Sequence, residues 1–575
     1  MRHAVIQPAW LVGLAVALMV RPMPAAAPTE VLTQFEVVIA GGSTAAIAAA
    51  FTAAEEGAKT ALLEPTDWIG GQLTSSGVPA VDEAWHKLTD PDTGEVLLDV
   101  ARVARDPANM TPFFREALAK IGNPGRGWVS RYCFEPRVLL EGCLEPRERS
   151  LSGKLTVFRN TVVKRASVDP ESGQITSLTA IERTPRPSTP DGGYDRLPSQ
   201  DLADWYSEKD SPRFAKRVLR FTAASAQKPA VFVDATEWGE LLALSGAPYL
   251  QGTEAEEGET ASNDRCGQAI TYGFVQEMHA APVAKHPTMP KIDNLGLGAY
   301  RDKPDAWERI WTYRRLRGAQ DKPSPGDLTL QNWGYEGSAG EGGNDYPFGY
   351  VFLSKADTAR QTADWRGGVD TNVLAAAEQR ALAWHEWFRN AAPEGIDPDQ
   401  ITLAPQVFGA AHGLAKLPYI RDTRRSVGVD GFVLRVSDLI GPASQQTGTR
   451  FPDRVALGAY AADIHPLVGC SYPASLEVNH PTLPFYIPLR SLTNDGRGNL
   501  LVAGKTMAQT FLANSATRLH PIEWSSGCAA GVAAAMMAEH GWSSREAVAK
   551  AERVQLRVRR HTPIEWKRPR AAANK

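Results

Sequence analysis

The chain has 575 residues, 43% hydrophobic and 22% charged, with a formal net charge of −3. That length exceeds one comfortable core, so two domains, or one domain carrying a large insertion, are expected. The composition is that of a globular protein, and the near-balanced charge gives no electrostatic footprint for nucleic acid.

Residues 1–27 read as a secretory signal. Arg2 and His3 precede an apolar run from Ala9 to Val20, and PMPAAA supplies small residues near a cleavage point. The run is too short to span a bilayer. The expectation is export, with cleavage around Ala25 to Ala27, and a periplasmic or extracellular protein without stable membrane insertion. No twin-arginine pair precedes the run, so a folded, cofactor-loaded export route is not signalled.

The stretch FEVVIAGGSTAAIAAAFTAAEEGAKTALLE then predicts strand, glycine turn, helix and second strand. Phe35 to Ala40 is an apolar run of the kind buried on both faces of a parallel sheet. Gly41 and Gly42 make the turn, and an alanine-rich helix runs to a capping Gly57. A helix start of this kind presents free N–H groups to a pyrophosphate. Glu64 follows Gly41 by 23 positions, the spacing at which a carboxylate meets a ribose hydroxyl pair. Ser43 and Ala46 stand where the usual fingerprint has its second and third glycines.

Further on, the Gly70-Gly71 pair suggests close backbone approach to a ligand. Leu155 to Ala166 alternates like one strand, with Gln174 to Arg183 as its hairpin partner, and residues 184–215 read as an exposed loop. Ala230 to Asp234 is another apolar strand, followed by a turn into a helix. Between about 250 and 480, aromatic and glycine-rich segments with a helix at Val373 to Asn390 suggest an inserted domain. The nucleotide-type pattern resumes with the strand NLLVAG at Asn499, and Pro521 opens a long alanine-rich helix that stops near Gly541. The basic stretch Arg553 to Lys575 reads as a solvated terminus. Five cysteines without a CxxC pair do not suggest a disulfide scaffold, a redox-active pair or a metal site. Cys133 and Cys143, separated by a helical stretch, would lie on the order of 15 Å apart and stay free.

In order, AGGSTAAIAAA, Glu64, IGGQLTSSG, CFEPRVLL, VDATEWGEL, GNDYPF, LPYIRDTRRSVG, ADIHP, YIPLRSL and the stretch NLLVAG to CAAGVAAA resemble the FAD-dependent oxidoreductases of the two-domain, glutathione-reductase-like class. The resemblance implies an α/β fold with a Rossmann-like FAD-binding domain built from residues 35–250 and 481–545, an inserted α+β substrate domain at 251–480, and a basic tail at 546–575. It implies noncovalent FAD, with Gly41, Gly42, Ser43 and Thr44 along the pyrophosphate and Glu64 on the ribose. Gly70, Gly71, Gln72 and Leu73 would lie against the flavin, Val162 and Val163 with Ala235 and Thr236 at the adenine end, and Gly504 near the ribityl chain. A helix beginning around Gly527 would point at the flavin C2 oxygen, where reduced flavin gathers negative charge.

Removing hydride from an alcohol or amine needs a base, and His465 in ADIHP is the candidate. Asp463 would face the other way if the segment is extended. Arg421, with Arg424 and Arg425, could hold an anion bidentately. Asn332, Trp333, Asn344, Asp345 and Tyr346 suit a polyhydroxylated ligand. Arg490, Arg518, His86, His412 and His520 are weaker candidates. The expected function is an exported FAD-dependent oxidoreductase transferring hydride between a small polar substrate (CH–OH or CH–NH favoured) and flavin N5, with an unknown electron acceptor. The alternative is a non-catalytic flavin- or nucleotide-binding envelope protein that serves the binding or maturation of a partner.

Overall fold

The computed structural model describes residues 30–254, 262–283, 291–332, 334–336, 341–470 and 479–568. The signal-like segment and Trp333 lie outside them.

A five-stranded sheet, all neighbours parallel, forms the centre. Its order is Leu500–Val502, Val231–Asp234, Val37–Ala40, Thr60–Leu63 and Leu155–Phe158. Chain ends more than 400 residues apart therefore share one Rossmann-like sheet. The strand Val37–Ala40 is wholly buried, as an unbroken apolar run requires when both faces are covered. Helix α1 (Thr44–Glu55) and helix α2 (His520–His540) pack together on one face. Their contact is backbone to backbone: a Cβ on Gly527 would sit 2.4 Å from the Ala45 carbonyl oxygen, and one on Gly531 2.2 Å from that of Ala49. Alanine and glycine on facing sides allow this approach.

A second sheet runs Val31–Phe35, Phe214–Ala223, Ile175–Pro185, Thr161–Val168. Two expected strands are divided between the sheets. Phe35 to Ala40 bends at Glu36, and Leu155 to Ala166 breaks at Arg159-Asn160, where Asn160 takes a φ of 53°. Asparagine tolerates that left-handed conformation. The stretch 184–215 is not an exposed loop: helix Pro198–Trp205 buries Leu202 and Trp205, and Tyr206 follows them inside. The inserted region holds an antiparallel sheet ordered Arg315–Arg317, Leu328–Gln331, Phe274–Met278, Ile401–Leu403. Beside it, helix Thr371–Asn390 stacks Phe388 against Trp307 and Trp311, and its Trp384 packs against Phe388 itself.

Two more expectations need correction. The C-terminal stretch is not solvated as far as residue 568, because Val554, Val558 and Ile564 are buried and His561 bonds Glu55 and Glu56 at 3.0 and 2.8 Å. The cysteines are not all free either. Cys266 and Cys470 form a disulfide across 204 positions, whereas Cys133, Cys143 and Cys528 are buried thiols. Among the described residues no helix is long and apolar enough to cross a membrane.

Candidate active site

Gly41, Gly42, Leu63, Pro65, Val163, Trp205, Tyr206, Thr236 and Glu240 line a cleft with about 450 Å³ of empty space. Close approach creates its floor. Gly41 has φ 136°, and a Cβ there would lie 2.1 Å from the Ala235 carbonyl oxygen. Ser43, the first departure from the glycine fingerprint, caps α1: its hydroxyl accepts from the Ala46 amide at 3.0 Å and donates to the Ala235 carbonyl at 2.7 Å. Thr44 likewise donates to the Gly70 carbonyl at 2.9 Å, and a Cβ on Gly71 would meet the Thr44 nitrogen at 2.5 Å. Both hydroxyls thus serve the fold, leaving backbone rather than side chains for a phosphate.

Glu64 ends the second strand, fully buried. One carboxylate oxygen accepts from the Thr66 amide and hydroxyl at 2.9 and 2.8 Å, and burial pushes its pKa up to about 8. At the same end of the molecule, the Lys505 ammonium, near Gly504, bridges Glu237 and Glu523, each at 2.8 Å. Burial opposes the Lys505 charge, but the two carboxylates outweigh it and raise its pKa. Gly504, with φ 67°, sits against Ala45 in the first turn of α1 and against the Glu523 carboxyl. Gln72 Oε1, Ser75 Oγ, Ser76 Oγ and Glu237 Oε1 are buried without hydrogen-bond partners.

These features fit FAD: a glycine floor, a helix N-terminus, a buried carboxylate and, at Glu237 in the cleft lining, an unpartnered buried oxygen. Glu64, Gly41, Gly42 and the backbone at Ser43 and Thr44 would hold the nucleotide. Gln72 and Leu73 are buried on the turn at Gly70 and Gly71, which packs against the Ser43–Thr44 backbone at the start of α1. The helix expected to begin around Gly527 begins at His520, so Gly527 lies well inside it and serves the α1 contact. Trp205, Tyr206 and Glu240 were missed by the sequence reading. The signal was present in PSQDLADWY, where a proline opens a helix and Leu202, Trp205 and Tyr206 share one face.

Glu64 carries a pH prediction for flavin-stripped protein. Its folded pKa of about 8 exceeds the unfolded value of 4.5, so stability is undiminished below pH 4.5 and falls as pH rises toward 8. The loss is on the order of 5 kcal/mol at most. Glu240 and Asp422, raised by burial to about 7 and about 6, act in the same direction. Urea unfolding of stripped protein at pH 5 and pH 8 should show the fall, and Glu64→Gln should reduce it. An equal fall in both proteins would remove Glu64 as its source.

His465 lies elsewhere, between two carboxylates. Its Nδ1 is 2.7 Å from Asp345 Oδ2, its Nε2 is 3.4 Å from Asp463 Oδ2, and its side chain is 25% exposed. Asp463 therefore faces His465 rather than the opposite side. Arg421 pairs with Asp345 at 2.8 Å and donates to the Ala269 carbonyl and the Thr271 hydroxyl. Arg518 pairs with Asp463 at 3.1 Å and donates to the Tyr419 hydroxyl at 2.7 Å. Burial and Arg421 act against charge on His465, but Asp463 and Asp345 prevail and raise its pKa. Burial would raise both aspartates, yet Arg421 with His465 for Asp345, and His465 with Arg518 for Asp463, hold them well below the usual carboxylate range.

The remaining candidates have structural partners. Asn344 donates to the Tyr272 and Gln331 carbonyls, while its neighbour Asp345 reaches His465. Arg424 donates to the Trp238 and Gly368 carbonyls, Arg425 to those of Gly252, Thr423 and Gln509, and Arg490 pairs with Asp453. His520, pushed down to about 4 by burial, spans the Asp82 amide and the Val78 carbonyl. His86 bonds the Thr482 carbonyl, and His412 accepts from the Leu414 amide.

A family model described as FAD dependent oxidoreductase matches residues 36–189 and 216–557. No curated protein matches. Among solved structures, p-nitrophenol 4-monooxygenase PnpA from Pseudomonas putida DLL-E4 is 11% identical, with 93% of this chain and 88% of that one covered and a TM-score of 0.31. The flavin-dependent brominase Bmp2 is 9% identical, with 91% and 83% covered and a TM-score of 0.31.

Proposed function

The chain belongs to the FAD-dependent oxidoreductase family, and from that premise we propose an exported enzyme that oxidises a CH–OH or CH–NH group of a small polar substrate, with His465 handling the proton. FAD is the cofactor, and bound flavin supplies the ring that exchanges hydride with substrate. The observation that carries the role of His465 is its position: partly exposed, yet clamped between the buried Asp345 and the partly exposed Asp463, which are themselves fixed by Arg421 and Arg518.

Asp345 fixes the imidazole through Nδ1 at 2.7 Å, whereas Asp463 stands off at 3.4 Å from Nε2, so Nε2 is the more loosely held nitrogen and the one to exchange a proton with a substrate hydroxyl or amine. Asp463 stabilises the imidazolium that results. Arg421 and Arg518 keep both carboxylates ionised in a buried setting, where an unpaired charge would be costly. The same raised pKa makes His465 a competent proton donor, so reduction of a polarised double bond is the second reading. An anaerobic screen of alcohols, amines, sugars and organic acids separates the two. Bleaching of oxidised flavin by one of them supports oxidation. Reoxidation of chemically reduced flavin only by an activated alkene supports the second.

Export is supported by the signal-like N-terminus and by the disulfide, since such bonds persist in oxidising compartments. The mature N-terminus should map near residues 25–28 in an extracytoplasmic fraction. An intact Met1 in the cytoplasm would end the export proposal.

A further inference from the structure

The segment Cys266 to Thr271 is the spine of the His465 site. Its Gln268 side chain accepts from the His465 amide at 2.9 Å, its Ala269 carbonyl accepts from Arg421 at 2.6 Å, and its Thr271 hydroxyl bonds Asp345. The His465 segment meets this spine along a short ladder. Among the described residues Leu467 and Val468 pair with it, opposite Gln268 and Gly267, and the Ala269 amide donates to the Pro466 carbonyl at 3.0 Å. A two-residue ladder is marginal by itself. The Cys266–Cys470 disulfide lies directly at its end, with Cα atoms 5.8 Å apart.

The disulfide also touches the opposite wall. Thr253 donates to Cys266 Sγ at 3.0 Å, and the next residue, Glu254, accepts from the Phe511 amide at 2.8 Å. Phe511 opens the helix Phe511–Thr517, which delivers Arg518 to Asp463. One covalent bond therefore sits where the elements carrying His465, its two carboxylates and their arginines meet.

We propose that the Cys266–Cys470 disulfide is a positioning element that holds His465 between Asp345 and Asp463, so that the site is assembled only when the two cysteines are oxidised. The functional consequence rests on the reading of His465 as the proton-handling group; the positioning claim does not. Opening the bond takes two electrons and two protons from a dithiol, which leaves as its own disulfide, and yields thiols at Cys266 and Cys470. Cys266 is buried and Cys470 partly exposed, so attack falls on Cys470. A chain still in a reducing cytoplasm would lack an assembled site and gain it after export.

The test needs no substrate. The FAD-loaded protein is labelled with carbon-13 at its 11 histidines, and the His465 signal is identified by its loss in His465→Gln. Its titration is followed in oxidised protein, in protein reduced by dithiothreitol, and in the double variant Cys266→Ser, Cys470→Ser. A thiol count rising by two above the three free cysteines confirms reduction. The facing charges are Asp345, Asp463, Arg421 and Arg518. In oxidised protein His465 should titrate above 6.5, and in both opened forms its pKa should fall by about half a unit or more as the carboxylates draw away. An unchanged titration in opened protein that retains flavin absorbance would overturn the proposal. Should the double variant not fold, the dithiothreitol arm on folded protein decides alone. If the titration shifts while His465→Ala leaves flavin reduction untouched, positioning stands and the catalytic reading fails.

Discussion

His465→Ala is expected to slow substrate-driven flavin reduction by about two to four orders of magnitude, the usual contribution of a positioned base or acid. The expectation follows from the surroundings of the imidazole. With Asp463 it is one of two partly exposed members of a chain running Arg421, Asp345, His465, Asp463, Arg518, in which each arginine holds one carboxylate. For a base, only the neutral imidazole is active, and its pKa is raised. Flavin reduction should therefore rise with pH through a limb above 6.5. In a double-bond reduction the same limb would fall with pH, because the imidazolium is then the active form. His465→Ala should erase the limb in either case. Stopped-flow bleaching between pH 5 and 9 measures rate and limb together, and full retention of both in the variant would remove His465 from the mechanism.

Gly531→Val should be severely damaging to the cofactor-binding half. The new Cβ would lie 2.2 Å from the Ala49 carbonyl oxygen and 2.3 Å from Thr52 Oγ1. Carbonyl and Cβ both belong to helix backbones, so neither yields by rotating a side chain. Relief requires α1 to leave α2, and α1 carries the N-terminus expected to hold the pyrophosphate. A loss of about 4 kcal/mol or more is expected, with flavin retention falling alongside it. Melting temperature and the ratio of flavin to protein absorbance give the two readouts. Gly153→Ala is the control, because a Cβ there meets nothing within 4 Å, and its effect should stay within about 0.5 kcal/mol. A variant at 531 that melts with the control and keeps its flavin would show that the helix contact is looser than the structure describes.

The first nucleotide unit was legible because its signals are local. A short apolar run, two glycines, an alanine-rich helix ending near Gly57 and a carboxylate after the next strand all lie within 30 residues. The long C-terminal helix was readable for the same reason, with Pro521 at its start and Gly541, at φ 69°, at its end. Its start was still misplaced for the flavin contact. Gly527 looks like a ligand-facing glycine, but its lack of a side chain answers to Ala45 on another helix, 482 positions away.

What the sequence by itself determined is the class of the fold, the glycine floor with Glu64 beside it, and through the ordered motifs the FAD-dependent oxidoreductase family. Only the tertiary structure decided that Asp345 lies against His465 from 120 positions away, that Asp463 faces the imidazole rather than turning from it, and that Cys266 meets Cys470. Strand and helix signals arise from neighbours along the chain, which composition and periodicity record. A buried charge is fixed by whatever packs against it from distant segments, and no periodicity records that.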